Sequence, residues 1–205
     1  MKSPRIIVFL KIPRPGSVKT RIAATLDADA AAAIYRVLIQ RTLGALAEFE
    51  NVELRYAPDD AAKEIQPWLR RGWTCAPQGE GDLGQRMQRA VLDAMAADQE
   101  AVILIGTDCP AMEAEDLQAA ARALENQDAV LGPATDGGYW LLGLGRRAAA
   151  APAVWFHDIP WSTDQVQRCT LEKARAAGLT CGALRPLRDV DTVEDWREWQ
   201  RTAPL

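Results

Sequence analysis

The sequence is poor in the residues that build soft metal centres. Its 205 residues include a single histidine, His157, and four scattered cysteines, Cys75, Cys109, Cys169 and Cys181, with no CxxC pair. A histidine-rich centre and the paired spacing of a zinc site are excluded by counting, so any metal has to be held by oxygen ligands. A basic excess is missing too: the formal charge is -4 and the pI near 5.2, which leaves no electrostatic footprint for wrapping nucleic acid or lying on an anionic membrane. No run approaches the roughly 20 apolar residues of a membrane span. The N-terminal MKSPRIIVFLKIP has an apolar run of only about 6 residues and lacks the small-residue cleavage site of a signal peptide. Internal repeats and low-complexity linkers are absent as well. The expectation is a cytoplasmic protein folded as one domain, 1–205, with no nucleic acid partner and no membrane span.

What is present is an alternation of strand-length apolar runs and helical spacings. RIIVFL, Arg5 to Leu10, is continuous, rich in β-branched residues and closed by the Pro-rich loop KIPRPGSVKTR, the pattern of a buried parallel strand. From Ala28 to Phe49 the chain is alanine-rich, and Tyr35, Ile39, Leu43 and Leu46 recur at helical spacing, so one face can pack on a sheet. The pattern continues with a strand in NVELRYA, a short helix from Asp60 to Arg71, a brief strand WTCAP, and a helix opened by QGEGDLGQRM. AVILIG, Ala101 to Gly106, is the most strand-like run; it ends in GTDCP and precedes a helix through Leu117 and Leu124. DAVLGPA and GGYWLLGL predict two strands around a tight TDGG turn. Ser162 with Gln165 has capping-box spacing for a helix to Gly178, a short strand follows at Cys181 to Leu184, and Thr192 with Asp195 repeats that spacing. The run Ala148 to Ala151 with Pro152 reads as a surface excursion. Together these predict an α/β fold, a mixed and mostly parallel sheet with helices on both faces.

In such sheets ligands sit beyond the carboxyl ends of the strands. The loop after the first strand holds Lys11, Arg14, Lys19 and Arg21 around Gly16, with Pro13 and Pro15 to stiffen it. Four cations in eleven residues can cradle a phosphate chain, or can simply be solvated loop charges. GSVKT lacks the adjacent Gly-Lys-Ser/Thr of a P-loop. GTDCP puts Asp108 directly after the most apolar strand, where a carboxylate can hold Mg²⁺ or Mn²⁺, or merely organise the turn. GPATDGGYW offers Asp136 in a hairpin-type turn beside Tyr139 and Trp140, aromatics suited to a sugar or acceptor site or to the core. DVDT adds Asp189 and Asp191, whose plain reading is a helix start. QGEGDLGQRM is a glycine-rich approach to a helix that could bring Gly79 or Arg86 to a base or phosphate. His157 in WFHDIPWST is a general acid–base by type, with no partner to fix that role.

The ordered set KIPRPGSVKTR, QGEGDLGQRM, GTDCP, GPATDGGYW, WST and DVDT resembles, nearly end to end, a bacterial family of GT-A-like nucleotide-diphospho-sugar transferases, some called arsenosugar biosynthesis glycosyltransferase-like. The resemblance implies a Rossmann-like GT-A sheet and a donor that is a nucleotide diphosphate sugar, with a small-molecule acceptor. It places Lys11, Gly16, Lys19 and Arg21 on the nucleotide phosphates, with Pro13, Thr20, Gly79 and Arg86 in the same nucleotide-contacting set. Asp108 matches the metal-binding acidic motif, and Asp191 or Asp189 would supply the second ligand that GTDCP lacks as a DxD. Asp136 would orient the acceptor or take its proton. More distantly the chain is similar to phospholactate and molybdenum-cofactor guanylyltransferases, which implies an alternative: condensation of a nucleoside triphosphate with a phosphorylated small molecule. Their LAGGxSxRMG opening loop is replaced here by KIPRPGSVKTR. A non-catalytic nucleotide-binding module is the third possibility.

Overall fold

The structure, a computed structural model, describes residues 3–202. In chain order its strands are β1 (Arg5–Lys11), β2 (Val52–Ala57), β3 (Thr74–Pro77), β4 (Ala101–Ile105), β5 (Ala129–Pro133), β6 (Tyr139–Gly145) and β7 (Cys181–Ala183). Its helices are α1 (Thr20–Thr25), α2 (Ala28–Ala45), α3 (Ala62–Ile65), α4 (Leu83–Ala96), α5 (Ala114–Ala123), α6 (Arg146–Ala149), α7 (Pro152–Phe156), α8 (Val166–Ala176) and α9 (Val193–Thr202). The strands form one seven-stranded sheet in the order β3-β2-β1-β4-β6-β5-β7. Only β6 runs against its neighbours: its pairings with β4 and β5 are antiparallel, and every other pairing is parallel. The mixed, mostly parallel α/β sheet expected from the sequence is the fold observed.

The central strands explain why both faces are covered. Along β1, Ile6, Val8 and Leu10 enter one core and Ile7 the other; along β4, Ile103 and Ile105 divide from Val102 and Leu104 in the same way. A strand apolar on both faces needs a helical layer on each side. α2 covers the first face with Tyr35, Leu38, Ile39 and Leu43, and α4 covers the second with Met87, Ala90, Val91 and Ala94. Each fully buried large aliphatic side chain in these seams contributes about 1.5–3 kcal/mol. Arg55 of β2, itself buried, pairs with Glu53 and with Asp93 of α4 at 2.7 Å, which ties that helix to the sheet.

Local differences from expectation have local causes. The predicted Ser162–Gln165 capping box does not form: Ser162 is in the left-handed region at φ 64, and Gln165 itself caps α8 without a side-chain bond. The Thr163 hydroxyl donates to the Pro160 carbonyl instead, making a turn. At Thr192 and Asp195 the expected box is present, with Thr192 N–H donating to Asp195 at 2.8 Å and Asp195 N–H to the Thr192 hydroxyl at 3.2 Å. The alanine run is a surface excursion only in its second half, where Ala150 is exposed and Ala151 and Pro152 are half-buried. Ala148 and Ala149 belong to α6, are 0% and 1% exposed and share a core cluster with Trp155, whose indole N–H donates to the Ala148 carbonyl. The stretch from Asp60 to Arg71 yields only α3 and one 3₁₀ turn, Gln66–Trp68, because Pro67 brings no N–H to prolong a helix.

Candidate active site

The C-terminal ends of β1 and β4 lie side by side, so the loops that leave them share one space. Tyr35 of α2 reinforces the junction: its hydroxyl accepts from the Lys11 N–H at 3.1 Å and from the Thr107 hydroxyl at 3.0 Å. A cavity of about 1000 Å³ opens above. On one side it is walled by Ser17 to Arg21, on another by Gly106 to Cys109, and on a third by the β5–β6 turn with residues 161–164. Asp189 and Asp191 complete the wall, because the Val190 N–H donates to the Asp108 carbonyl at 2.8 Å and pins the late segment to the β4 loop.

Lys19 is the electrostatic centre of this space. Its ammonium lies 2.7 Å from Asp108 and 3.0 Å from Asp191, and its side chain is 6% exposed against 50% and 41% for those acids. Burial by itself lowers the lysine pKa, but Asp108 and then Asp191 outweigh that, and the ammonium is held above its ordinary value. Arg21 approaches Asp191 from the solvent side at 3.8 Å. Asp189 is pushed up to about 6, first by burial and then by the charges of Asp136 and Asp191. Burial, followed by Asp189 and Asp108, also drives the Cys109 thiol well up, so it is neutral and no nucleophile.

The carboxylates of Asp108, Asp136, Asp189 and Asp191 thus face one cavity. Hard oxygen donors of this kind suit Mg²⁺ or Mn²⁺. Among the described residues, no three His, Cys, Asp or Glu are grouped as a bound cation would require. The space between Asp108 and Asp191 is taken by Lys19.

The other sequence candidates fall in different places. Lys11 and Thr20 line the cavity, whereas Gly16 is exposed outside its wall. Pro13 is buried and lines a second cavity, of about 640 Å³, with Arg36, Glu64 and Trp68. Arg14 turns to Glu64 and, at 3.5 Å, to Asp60. Gly79 and Arg86 do not line the main cavity: the Gly79 N–H donates to Asp59, and Arg86 donates to the Gly81 carbonyl at 2.9 Å and to Gln78 at 3.4 Å. His157 is exposed on the surface, 2.9 Å from Gln88, and is not part of the wall.

At the third wall Asp136 is exposed, and its carboxylate accepts from the Gly138 N–H at 2.8 Å. Gly137, at φ +90, lies so close to the Asp164 backbone that a β-carbon would collide with it, which is why this turn needs glycine. Trp140 is 5% exposed and donates its indole N–H to the Arg185 carbonyl, and Tyr139 buries its hydroxyl, so both aromatics turn their polar ends inward. Trp161, half-buried and packed edge-on to Tyr139 at 6.3 Å, and the half-buried Phe9 are further aromatics on the cavity wall. Sequence reasoning missed Trp161 as a wall and Tyr35 as the clasp between β1 and β4. A tyrosine within an otherwise aliphatic helical stripe was the available signal for the second.

Sheet order and cavity define a class: the α/β fold of nucleotide-diphospho-sugar transferase and cytidylyltransferase structures. Within that class the chain belongs to the bacterial family described as "Uncharacterized protein conserved in bacteria (DUF2064)", which matches residues 42–163. It is 37% identical to a Desulfovibrio desulfuricans G20 protein provisionally named a nucleotide-diphospho-sugar transferase, covering 98% of this chain and 88% of that one with a TM-score of 0.91. The 4-diphosphocytidyl-2C-methyl-D-erythritol synthase of Anaerococcus prevotii DSM 20548 shares the fold at 12% identity, with 98% of this chain and 99% of that one covered and a TM-score of 0.65. So does Rv0371c of Mycobacterium tuberculosis H37Rv in complex with manganese, at 15% identity, 98% and 100% coverage and a TM-score of 0.58. No curated protein matches the chain. Among the described residues, no helix is long and apolar enough to cross a membrane.

Proposed function

We propose that the chain, working as one unit over 1–205, is a metal-dependent transferase that moves a sugar from a nucleotide diphosphate sugar to a small acceptor. The observation that carries this is the 2.7 Å approach of Lys19, from the loop after β1, to Asp108, from the loop after β4. Positive charge and a hard-cation ligand therefore face the same space, as recognition of a diphosphate needs. The 37% identical transferase relative supports the same chemistry. Lys11, Thr20 and Arg21, on the cavity wall, would meet the phosphates with Lys19. Asp108, with Asp191 and Asp189, would hold Mg²⁺ or Mn²⁺, consistent with the manganese complex of the Mycobacterium tuberculosis fold neighbour. Such an ion, when bound, neutralises charge on the diphosphate.

In the reaction an acceptor hydroxyl oxygen bonds to the anomeric carbon, and the bond from that carbon to the diphosphate oxygen breaks with its electron pair. Lys19 and Arg21 stabilise the charge that grows on the departing nucleoside diphosphate. Asp136, exposed on the third wall, orients the acceptor and takes its proton. Trp161 offers an apolar face at the rim where a sugar ring can lie.

Product analysis tests the proposal. Incubating the full chain with a panel of sugar nucleotides and Mn²⁺ is expected to release nucleoside diphosphate. Nucleotidyl transfer, the alternative reading, would instead release pyrophosphate from a nucleoside triphosphate supplied with a phosphorylated small molecule. Tight nucleotide binding with neither product would make the chain a binding module.

A further inference from the structure

Lys19 occupies an unusual position for a lysine. Its backbone lies in the left-handed region, at φ 45 and ψ 51, and its side chain is 6% exposed although it lines the cavity. A non-glycine residue holds that conformation when its surroundings over-determine it. The surroundings here are the two carboxylates, which draw a strongly hydrated ammonium out of water. Two of the acids assigned above to a divalent cation thus already share a cation. An ion bridging oxygens at about 2.0–2.6 Å needs the space that the ammonium fills, and two like charges in that gap would repel.

The geometry points to an exchange: the Lys19 ammonium and a divalent cation are alternative occupants of the gap between Asp108 and Asp191. A cation entering the gap releases the Lys19 side chain into the cavity, where a diphosphate is the group of opposite charge. The inference rests on the reading of Asp108 and Asp191 as cation ligands. Lysine release makes metal and diphosphate cooperative, because each favours the arrangement the other needs; by linkage the coupling is reciprocal. Until a cation enters the gap, Lys19 is the counter-ion of both Asp108 and Asp191.

Two measurements on the full chain test the exchange, with Mn²⁺ alone as the probe. Free Mn²⁺ is followed by its paramagnetic resonance signal in the wild type, Lys19→Met, Asp108→Asn and the double variant. Lys19 reactivity is followed in the wild type by trace acetylation and peptide mass spectrometry with and without Mn²⁺, using the exposed Lys63 as internal reference. The exchange predicts that Mn²⁺ raises Lys19 acetylation severalfold relative to Lys63. It also predicts that Lys19→Met binds Mn²⁺ more tightly by on the order of tenfold or more, and that Asp108→Asn removes that gain. If Mn²⁺ binds through Asp108 while Lys19 reactivity stays constant and Lys19→Met binds no more tightly, the exchange is wrong and the metal site stands. If Asp108→Asn leaves Mn²⁺ binding intact, or neither the wild type nor Lys19→Met binds Mn²⁺, the metal site and the exchange both fall. The acetylation readout needs no variant, so a misfolded Lys19→Met does not shelter the idea.

Discussion

Lys19 and Arg86 are both cations beside glycine-containing loops at the C-terminal edge of the sheet, yet they are held differently. Lys19 bonds to Asp191, 172 residues along the chain, whereas Arg86 donates to the Gly81 carbonyl only five residues back. Around Arg86 the acceptors are local: Arg89 donates to the Gln78 and Glu80 carbonyls, and Asp82 with Gln85 closes a capping box. Around Lys19 the partners are half-exposed side chains on other loops. A cation satisfied by its own backbone fastens a loop. One paired only with acids facing a cavity keeps its charge available to a ligand. Glycine and arginine in a strand-to-helix loop therefore do not by themselves make an anion site; what the cation is bonded to decides the matter.

The comparison can be broken first at Asp108. Asp108→Asn is expected to lower release of nucleoside diphosphate from a sugar nucleotide by about 10²–10³-fold, the usual scale for removing one group that stabilises transition-state charge. A drop of less than about threefold would place Asp108 among the turn-forming acids. Gln78→Ala probes the fastened loop: its amide donates to the Leu10 and Arg55 carbonyls at 2.9 and 3.0 Å, and it is 6% exposed. Losing two buried side-chain hydrogen bonds should cost about 1–2 kcal/mol in a denaturant titration. Arg86→Ala sharpens the contrast, because it should cost about 1 kcal/mol of stability while leaving UDP affinity within about twofold; a tenfold loss of affinity would return Arg86 to the nucleotide site.

The smallest effect concerns Asp189. Its folded pKa, about 6, lies above the ordinary 3.8, so the folded state binds the extra proton more readily than the unfolded chain. Stability therefore falls as pH rises from about 4 to about 6, and the loss persists above that window. Asp189→Asn should be stabilising at pH 7.5 by up to about 1 kcal/mol once solvent screening is allowed for, and nearly neutral at pH 4. Equal effects at both pH values would contradict the burial and crowding of this acid.

Much of the fold was legible because its central strands are apolar on both faces and its hairpin turn carries Asp-Gly. RIIVFL and AVILIG could only be buried, and Tyr35, Ile39, Leu43 and Leu46 declared the helix that covers one face. The carboxylate after β4 was legible for the same reason, since a strand end in this architecture faces the ligand side. The bridge from Lys19 to Asp191 was not, because it depends on which loops the sheet order makes neighbours and on the backbone bond from Val190 to Asp108. Arg86 and Gly79 looked alike to Lys19 and Gly16 in composition, and only the acceptor geometry separates them. Ser162 was misread because its spacing mimics a capping box while its backbone is left-handed.

The most direct test of the central claim is a double-mutant cycle on UDP affinity in the presence of Mn²⁺, comparing wild type, Lys19→Ala, Asp108→Asn and the double variant. If both residues act on one diphosphate, the losses will be non-additive, with a coupling of about 1 kcal/mol or more. Losses that add to within about 0.3 kcal/mol would mean that the two side chains, though 2.7 Å apart, serve separate purposes.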